Sequence, residues 1–378
     1  MKIAFNIVMF VFIAVIALAV ISMIVSSISG RSLFKGKSSG SSEGILYSGD
    51  GGETWKAMNV AVEGDKKDIK GLTLKDLVFD SGDSSSLYLL TERDGLFFSS
   101  DQGVTWKIVG GEGNSLEPTA SILGMVIKQS DPKVRYLAVL QKEKGEILKS
   151  ESTDAPFNEV YTATLPGERV TALALDLYDP QTIFAGTSSG LLLVSRDGGS
   201  SWSTVQEFKE GIVDIVINPR DTRHIYVMGE SGAVSKSIDK GISWDKLGKL
   251  PEPQGPSTPG PLFSRSKFQG RVLFGLDPND PTSHLFMVVG SDVFESRDGG
   301  STFTEIVTII PTGSPPLHSF AIDPVDSRMV YLGGEGKIYK TVDAGKSWQI
   351  KTLPTSAKIS RIVIDPSASN RVFVLLAK

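Results

Sequence analysis

The chain has 378 residues, with 39 Lys plus Arg against 43 Asp plus Glu and a formal net charge of −4. No basic run occurs in its folded part, so it lacks the clustered cationic charge on which nucleic-acid affinity rests, and no nucleic-acid partner is expected. The absence of cysteine excludes disulfides, thiolate zinc sites and cysteine nucleophiles.

Residues 1–6 are a short tail. Ile7 to Val25 then form an apolar run broken only by Ser22. Nineteen residues at helical rise span about 28 Å, close to the thickness of bilayer hydrocarbon. A cleaved signal peptide has a shorter apolar core and a small-residue cleavage site. The segment 7–25 therefore reads as one uncleaved transmembrane signal anchor. Arg31, Lys35 and Lys37 follow it, and the positive-inside rule alone would keep the bulk of the chain in the cytoplasm. The very short tail ahead of the helix has the form of a secretion-type anchor, so the expected location of the folded part is extracytoplasmic. Residues 26–43, rich in Ser, Gly and Lys, read as a flexible linker.

A repeat organises residues 44–378. The pattern Ser/Thr-x-Asp-x-Gly-x-Ser/Thr-Trp/Phe occurs at Ser48–Trp55, Ser99–Trp106, Ser195–Trp202, Ser237–Trp244, Ser296–Phe303 and Thr341–Trp348. A degraded copy lies around Ser152, Asp154 and Phe157, with Pro156 in place of the glycine. The aspartates stand at 50, 101, 154, 197, 239, 298 and 343, a period of roughly 40–60 residues. Short strand-like runs flank each box, and two more lie upstream around an Asp-Pro turn, as in Ala172–Leu175 then Thr182–Ala185. Four strands per such unit make a propeller blade.

The chain enters at Gly44–Tyr47 with the third and fourth strands of a blade. It leaves at Arg361–Ile364 and Arg371–Leu376 with the first and second. Pairing these halves closes the ring and removes open sheet edges. The expected fold is all-β, a seven-bladed β-propeller of four-stranded blades with N/C-terminal ring closure, preceded by one transmembrane helix. Within each box the glycine supplies positive φ, the aspartate accepts backbone N–H bonds, and the aromatic fills the space between blades. Asp50, Trp55, Asp101, Trp106, Asp197, Trp202, Asp239, Trp244, Asp298, Phe303, Asp343 and Trp348 are thus structural, and no catalytic residue is assigned.

The boxes, as in Ser195-Arg196-Asp197-Gly198-Gly199-Ser200-Ser201-Trp202, resemble bacterial neuraminidase repeats, or Asp boxes. The resemblance covers residues 44–378. Sialidases, xyloglucanases, sortilin receptors and photosystem II assembly-factor propellers share such repeats. The sialidase Arg-Ile-Pro signature is missing, xyloglucanases work between two propellers, and sortilin-type receptors have a larger ring with cysteine-rich modules. The chain is most similar to the assembly-factor propellers, which implies a binding scaffold.

Strand order puts box turns and Asp-Pro turns on one face, and second-to-third turns with blade-to-blade connections on the other. The longest loop, Leu250 to Gly270, joins the fifth and sixth blades and carries five prolines, Phe263 and Phe268. It is a candidate docking arm or a solvated insertion. Aligning the first strands places Asp76, Gly124, Ala172, Asp214, Leu273, Ser319 and Arg361 at equivalent positions near the channel mouth. Asp76 and Asp214 stand too nearly opposite for a glycosidase pair. Arg361, with Arg271 and His318, can hold an anionic group, although salt-bridged or solvated residues are the commoner outcome at such a mouth.

Other motifs fail on context. Gly186-Thr187-Ser188-Ser189-Gly190 fits a nucleophile elbow but falls in a hairpin, and Gly36-Lys37-Ser38 has no preceding strand. His224, His284 and His318 have no metal spacing, so neither metal nor cofactor is expected. The leading expectation is a membrane-anchored, non-catalytic scaffold for a protein partner at the cell envelope. The alternative is a glycan-binding or glycan-cleaving propeller.

Overall fold

The computed structural model describes residues 44–58, 68–152, 155–248, 272–311 and 314–377. The expected tail, anchor and linker (1–43), with Asp154, Phe263, Phe268 and Arg271, lie outside the described residues. Described strands form seven sheets of four strands each, all antiparallel between neighbours, with strand order following the chain in six of them. Blade 1 combines Gly44–Ser48 and Lys56–Ala57 with Lys358–Asp365 and Ala368–Ala377. Blades 2 to 7 then follow at Leu74–Val109, Ser121–Thr162, Val170–Glu207, Ile212–Lys246, Val272–Ile306 and Ser319–Thr352.

Closure has a definite register. Gly44, Ile45, Leu46, Tyr47 and Ser48 pair antiparallel with Leu376, Leu375, Val374, Phe373 and Val372. These strands alternate apolar residues onto both sheet faces, because each face meets another blade and neither meets solvent. The first strands line the inside of the ring, and five of them carry one extra residue near their start. The register shifts lie between Leu74 and Asp76, Ile122 and Gly124, Val170 and Ala172, Ile212 and Asp214, and Ile359 and Arg361. Such bulges bend a strand and re-aim its side chains, here at the positions that the sequence alignment had grouped.

The core is divided into seven clusters, one between each pair of adjacent blades, and each holds one box aromatic. Trp106 fills the space between blades 1 and 2, Trp202 that between 3 and 4, and Trp244 that between 4 and 5. Phe303, Trp348 and Trp55 do the same for the next three seams. Phe157, from the degraded repeat, fills the seam between blades 2 and 3. Each aromatic packs toward the preceding blade, so loss of the box in blade 3 has not cost the ring its filler there.

The hairpin tip of blade 3 is strained. Lys142 (φ 49°) and Glu143 (φ 62°) are consecutive left-handed residues without being glycine. A two-residue turn with both φ positive is where Asn-Gly is preferred. Replacing Lys142-Glu143 with Asn-Gly is expected to raise the melting midpoint by about 2 °C. Differential scanning calorimetry checks this, and a lowered midpoint would show that the Lys142–Glu117 ion pair at the tip outweighs the strain.

Candidate functional site

The aligned first-strand residues start from the face that carries the blade-to-blade connections, so their side chains gather at that mouth of the channel. Arg361 of blade 1 reaches sideways to blade 2, and its Nε donates to Asp76 Oδ1 at 2.9 Å. Asp76 raises the Arg361 guanidinium above its ordinary value, and Asp214 of blade 5 adds to the rise. The same arginine thus touches the Asp76 carboxylate and lies in the field of the Asp214 carboxylate, from blades three apart. Both aspartates are set by the same local bond: Asp76 Oδ1 accepts from the Leu77 amide at 2.8 Å, and Asp214 Oδ1 from the Ile215 amide at 2.9 Å. Gly124, Ala172, Leu273 and Ser319 occupy the other matching register positions and bring no charge. His318, half-buried ahead of the first strand of blade 7, is pushed below the ordinary imidazole value by burial and by Lys358, with Glu335 opposing.

On the opposite face the repeated turns share one hydrogen-bond plan. In blade 4, Ser195 Oγ donates to Asp197 Oδ1 at 2.8 Å and accepts from the Gly199 amide at 2.8 Å. Asp197 then accepts from the Ser201 amide at 2.8 Å and the Ser201 hydroxyl at 2.6 Å. Asp50, Asp101, Asp239, Asp298 and Asp343 repeat it. The turn needs two successive left-handed residues. The second is always glycine, while Gln102, Lys240 and Ala344 hold the first position in three boxes.

These bonds have a measurable consequence. Asp197, Asp239 and Asp343 are held at about 2, below the ordinary 3.8, first by the serine hydroxyl that closes each turn and then by its amide. A carboxyl depressed in the fold stabilises it above the unfolded value and loses that effect as pH falls through the folded one. The melting midpoint is therefore expected to stay level down to about pH 4 and to fall between there and about pH 2. A combined D197N/D239N/D343N variant should show a shallower fall over that interval. An unchanged slope would mean that other groups govern acid unfolding.

Two further sets of residues went unforeseen. Buried and half-buried side chains tie one blade to the box turn of the next: Tyr136 Oη donates to Gly198 O at 2.9 Å, and Lys236 Nζ to Gly299 O at 2.9 Å. Tyr331 Oη and Lys340 Nζ both donate to Gly51 O, at 3.0 and 2.7 Å, across the seam that closes the ring. Burial lowers Lys236 and Lys340 from the ordinary lysine value. Secondly, the Asp-Pro turns are built on buried caps. Asp176, Asn218, Asp277, Asp323 and Asp365 each accept from the amide two residues on, at 2.7–2.9 Å. The sequence signals were present: an aromatic at a fixed place in every second strand, and Asp or Asn ahead of five turns.

No family model matches the chain. Xyloglucanase Xgh74A of Acetivibrio thermocellus is 25% identical over 242 residues, 53% of this chain and 28% of the relative. Vacuolar protein sorting/targeting protein PEP1 of Saccharomyces cerevisiae is 27% identical over 137 residues, 35% of this chain and 8% of the relative. The chain thus spans under a third of the length of these curated relatives. Among solved structures, the GH74 xyloglucanase of Xanthomonas campestris matches with a TM-score of 0.63 and 18% identity, covering 84% of this chain and 52% of that one. YCF48 bound to D1 peptide matches with a TM-score of 0.59 and 15% identity, covering 81% of this chain and 94% of that one. The chain is a seven-bladed β-propeller of four-stranded blades, and its structural neighbours include xyloglucanase propellers and YCF48.

Proposed function

We propose that the protein is a membrane-anchored, extracytoplasmic, non-catalytic propeller that binds another protein at the cell envelope and holds or assembles a complex. The observation that carries this reading is the ion pair at the channel mouth. A general acid or nucleophile must have its carboxyl free to meet substrate. Asp76 instead turns Oδ1 to Arg361, and Asp214 adds to the rise of the same guanidinium. The Arg361–Asp76 pair ties blade 1 to blade 2 across the inside of the ring. Extent of match supports the same reading: the chain covers 94% of YCF48, whose structure holds a peptide, and about half of the xyloglucanase chain. The proline-rich loop with Phe263 and Phe268 is the docking arm in this proposal.

A second reading, a glycan-binding or glycan-cleaving propeller, is favoured by the 25% identity to Xgh74A. Photo-crosslinking in the native cell separates the two, with the probe placed at Phe263. The scaffold reading expects a discrete protein adduct that disappears when the probe is moved to Ile242 on the box-turn face. Crosslinks to envelope polysaccharide without a protein adduct would replace it with the glycan reading. Resistance of the full chain to alkaline carbonate extraction tests the anchor separately.

A further inference from the structure

Beneath the box-turn face of blade 6, His284 is buried between two carboxylates from different strands. Its Nδ1 stands 2.7 Å from Asp277 Oδ2, and its Nε2 stands 2.9 Å from Glu295 Oε2. Neutral imidazole has one N–H and can donate to only one of them, whereas imidazolium donates to both. Arg297 Nη2 also donates to Glu295 Oε2, at 2.8 Å. The other charged groups around it are Asp280 on its own turn, the Asp326–Arg328 pair on the adjoining turn of blade 7, and Lys236 of blade 5 on Gly299 O. Phe286 packs on the ring at 4.4 Å. Despite burial, Asp277 lies below the ordinary carboxylate range, held there by the Asn279 amide, the His284 ring and the Ser327 hydroxyl.

The turn that His284 holds touches both neighbouring blades. Asn218 Nδ2 of blade 5 donates to Thr282 Oγ1 at 3.0 Å. Asn279 Nδ2 donates to Ser327 Oγ of blade 7 at 3.2 Å. Gly299, in the box of blade 6, donates its amide to Ser283 O at 3.0 Å. The corresponding place in blade 1 is taken by Arg371, whose Nη2 lies 2.7 Å from Asp365 Oδ2. A guanidinium keeps its charge, whereas an imidazole is charged only when both ring nitrogens carry a proton.

We propose that His284 is a proton-dependent clasp: as imidazolium it pins the Asp277–His284 turn to the third strand, and through that turn it joins blades 5, 6 and 7 on the box-turn face. Loss of the proton to solvent leaves one carboxylate facing a lone pair, and the turn loosens with its contacts to Asn218 and Ser327. The clasp needs the ring proton: it is made while both ring nitrogens donate and is lost when one of them no longer does.

The test uses the full chain in detergent micelles. Long-range proton–nitrogen correlation spectra report the protonation of each ring, with His224 and His318 as internal comparison and H284Q to assign the third. Hydrogen exchange, corrected for its intrinsic pH dependence, is followed in peptides covering 277–284 and 323–329. The proposal expects exchange in both to quicken by about tenfold as the His284 ring deprotonates. H284Q should exchange at the faster rate throughout with no step, and H284R at the slower. A His284 ring that stays neutral over the accessible range, or one that titrates with no change in either peptide, would overturn the clasp. The wild-type titration alone decides this if a variant does not fold.

Discussion

Deletion of Ile359–Lys378 is expected to abolish cooperative folding of the whole ring, although it removes only half of one blade. The deleted strands contribute eight buried apolar side chains, among them Ile359, Val372, Phe373, Val374 and Leu375. Full burial of each such side chain stabilises by about 1.5–3 kcal/mol. Their combined loss is comparable to or larger than the about 5–15 kcal/mol by which a domain is stable. Two of the seven core clusters lose a wall, since Phe373 and Leu375 face blade 2 while Val372, Val374 and Leu376 face blade 7. Gly44–Ser48 is left with an unpaired edge. Asp323 loses the Ser369 hydroxyl, and Asp76 loses Arg361. Thermal unfolding followed by near-ultraviolet circular dichroism checks this. A truncate that melts as sharply and at the same temperature as the intact chain would show that closure does not hold the ring.

What sequence reasoning could reach differs by kind of signal. Blade number, strand order and the closing half-blades were legible because the box recurs in nearly every blade, and a two-residue strand period leaves little choice of facing. The match of Asp76, Asp214 and Arg361 was legible for the same reason: alignment on the closing turns carries register with it. The Arg361–Asp76 contact was not, since it depends on how far adjacent first strands stand apart. Sequence offered an anion site beside the commoner outcome of salt-bridged or solvated residues, and only distance separates them. The Tyr331, Lys340 and Gly51 arrangement joins residues some 280 positions apart, so the recurring aromatic of the second strands marked the place but not the partner. The burial of His284 was not legible either, because nothing in its sequence neighbourhood shows that Glu295, one strand later, turns back onto the ring.

Truncation of Trp106 to alanine is expected to destabilise the ring by about 3–5 kcal/mol, the range for deleting a large buried aromatic. Trp106 is 1% exposed and packs with Ile45, Leu77, Leu87 and Phe373 at the seam between blades 1 and 2. The seam cannot collapse to fill the hole, because both walls are sheets fixed by ladders on either side. The box also brings Gly103 against the indole, where an added Cβ would sit 3.1 Å from Trp106 Cζ2. W106F should cost much less, about 1–2 kcal/mol, for blades 3 and 6 already use Phe157 and Phe303 in the same role. The indole nitrogen of Trp106 has no partner, so the change removes no hydrogen bond there. W202F is different, because Trp202 Nε1 donates to Gly199 O at 3.2 Å and the phenyl ring forfeits that bond as well. Urea unfolding midpoints for the three variants give the order: W106A lowest, then W202F, then W106F nearest the parent. Equal midpoints for W106A and W106F would mean that the box aromatic is not the filler of the seam, and that the turn's own hydrogen bonds explain why the box recurs.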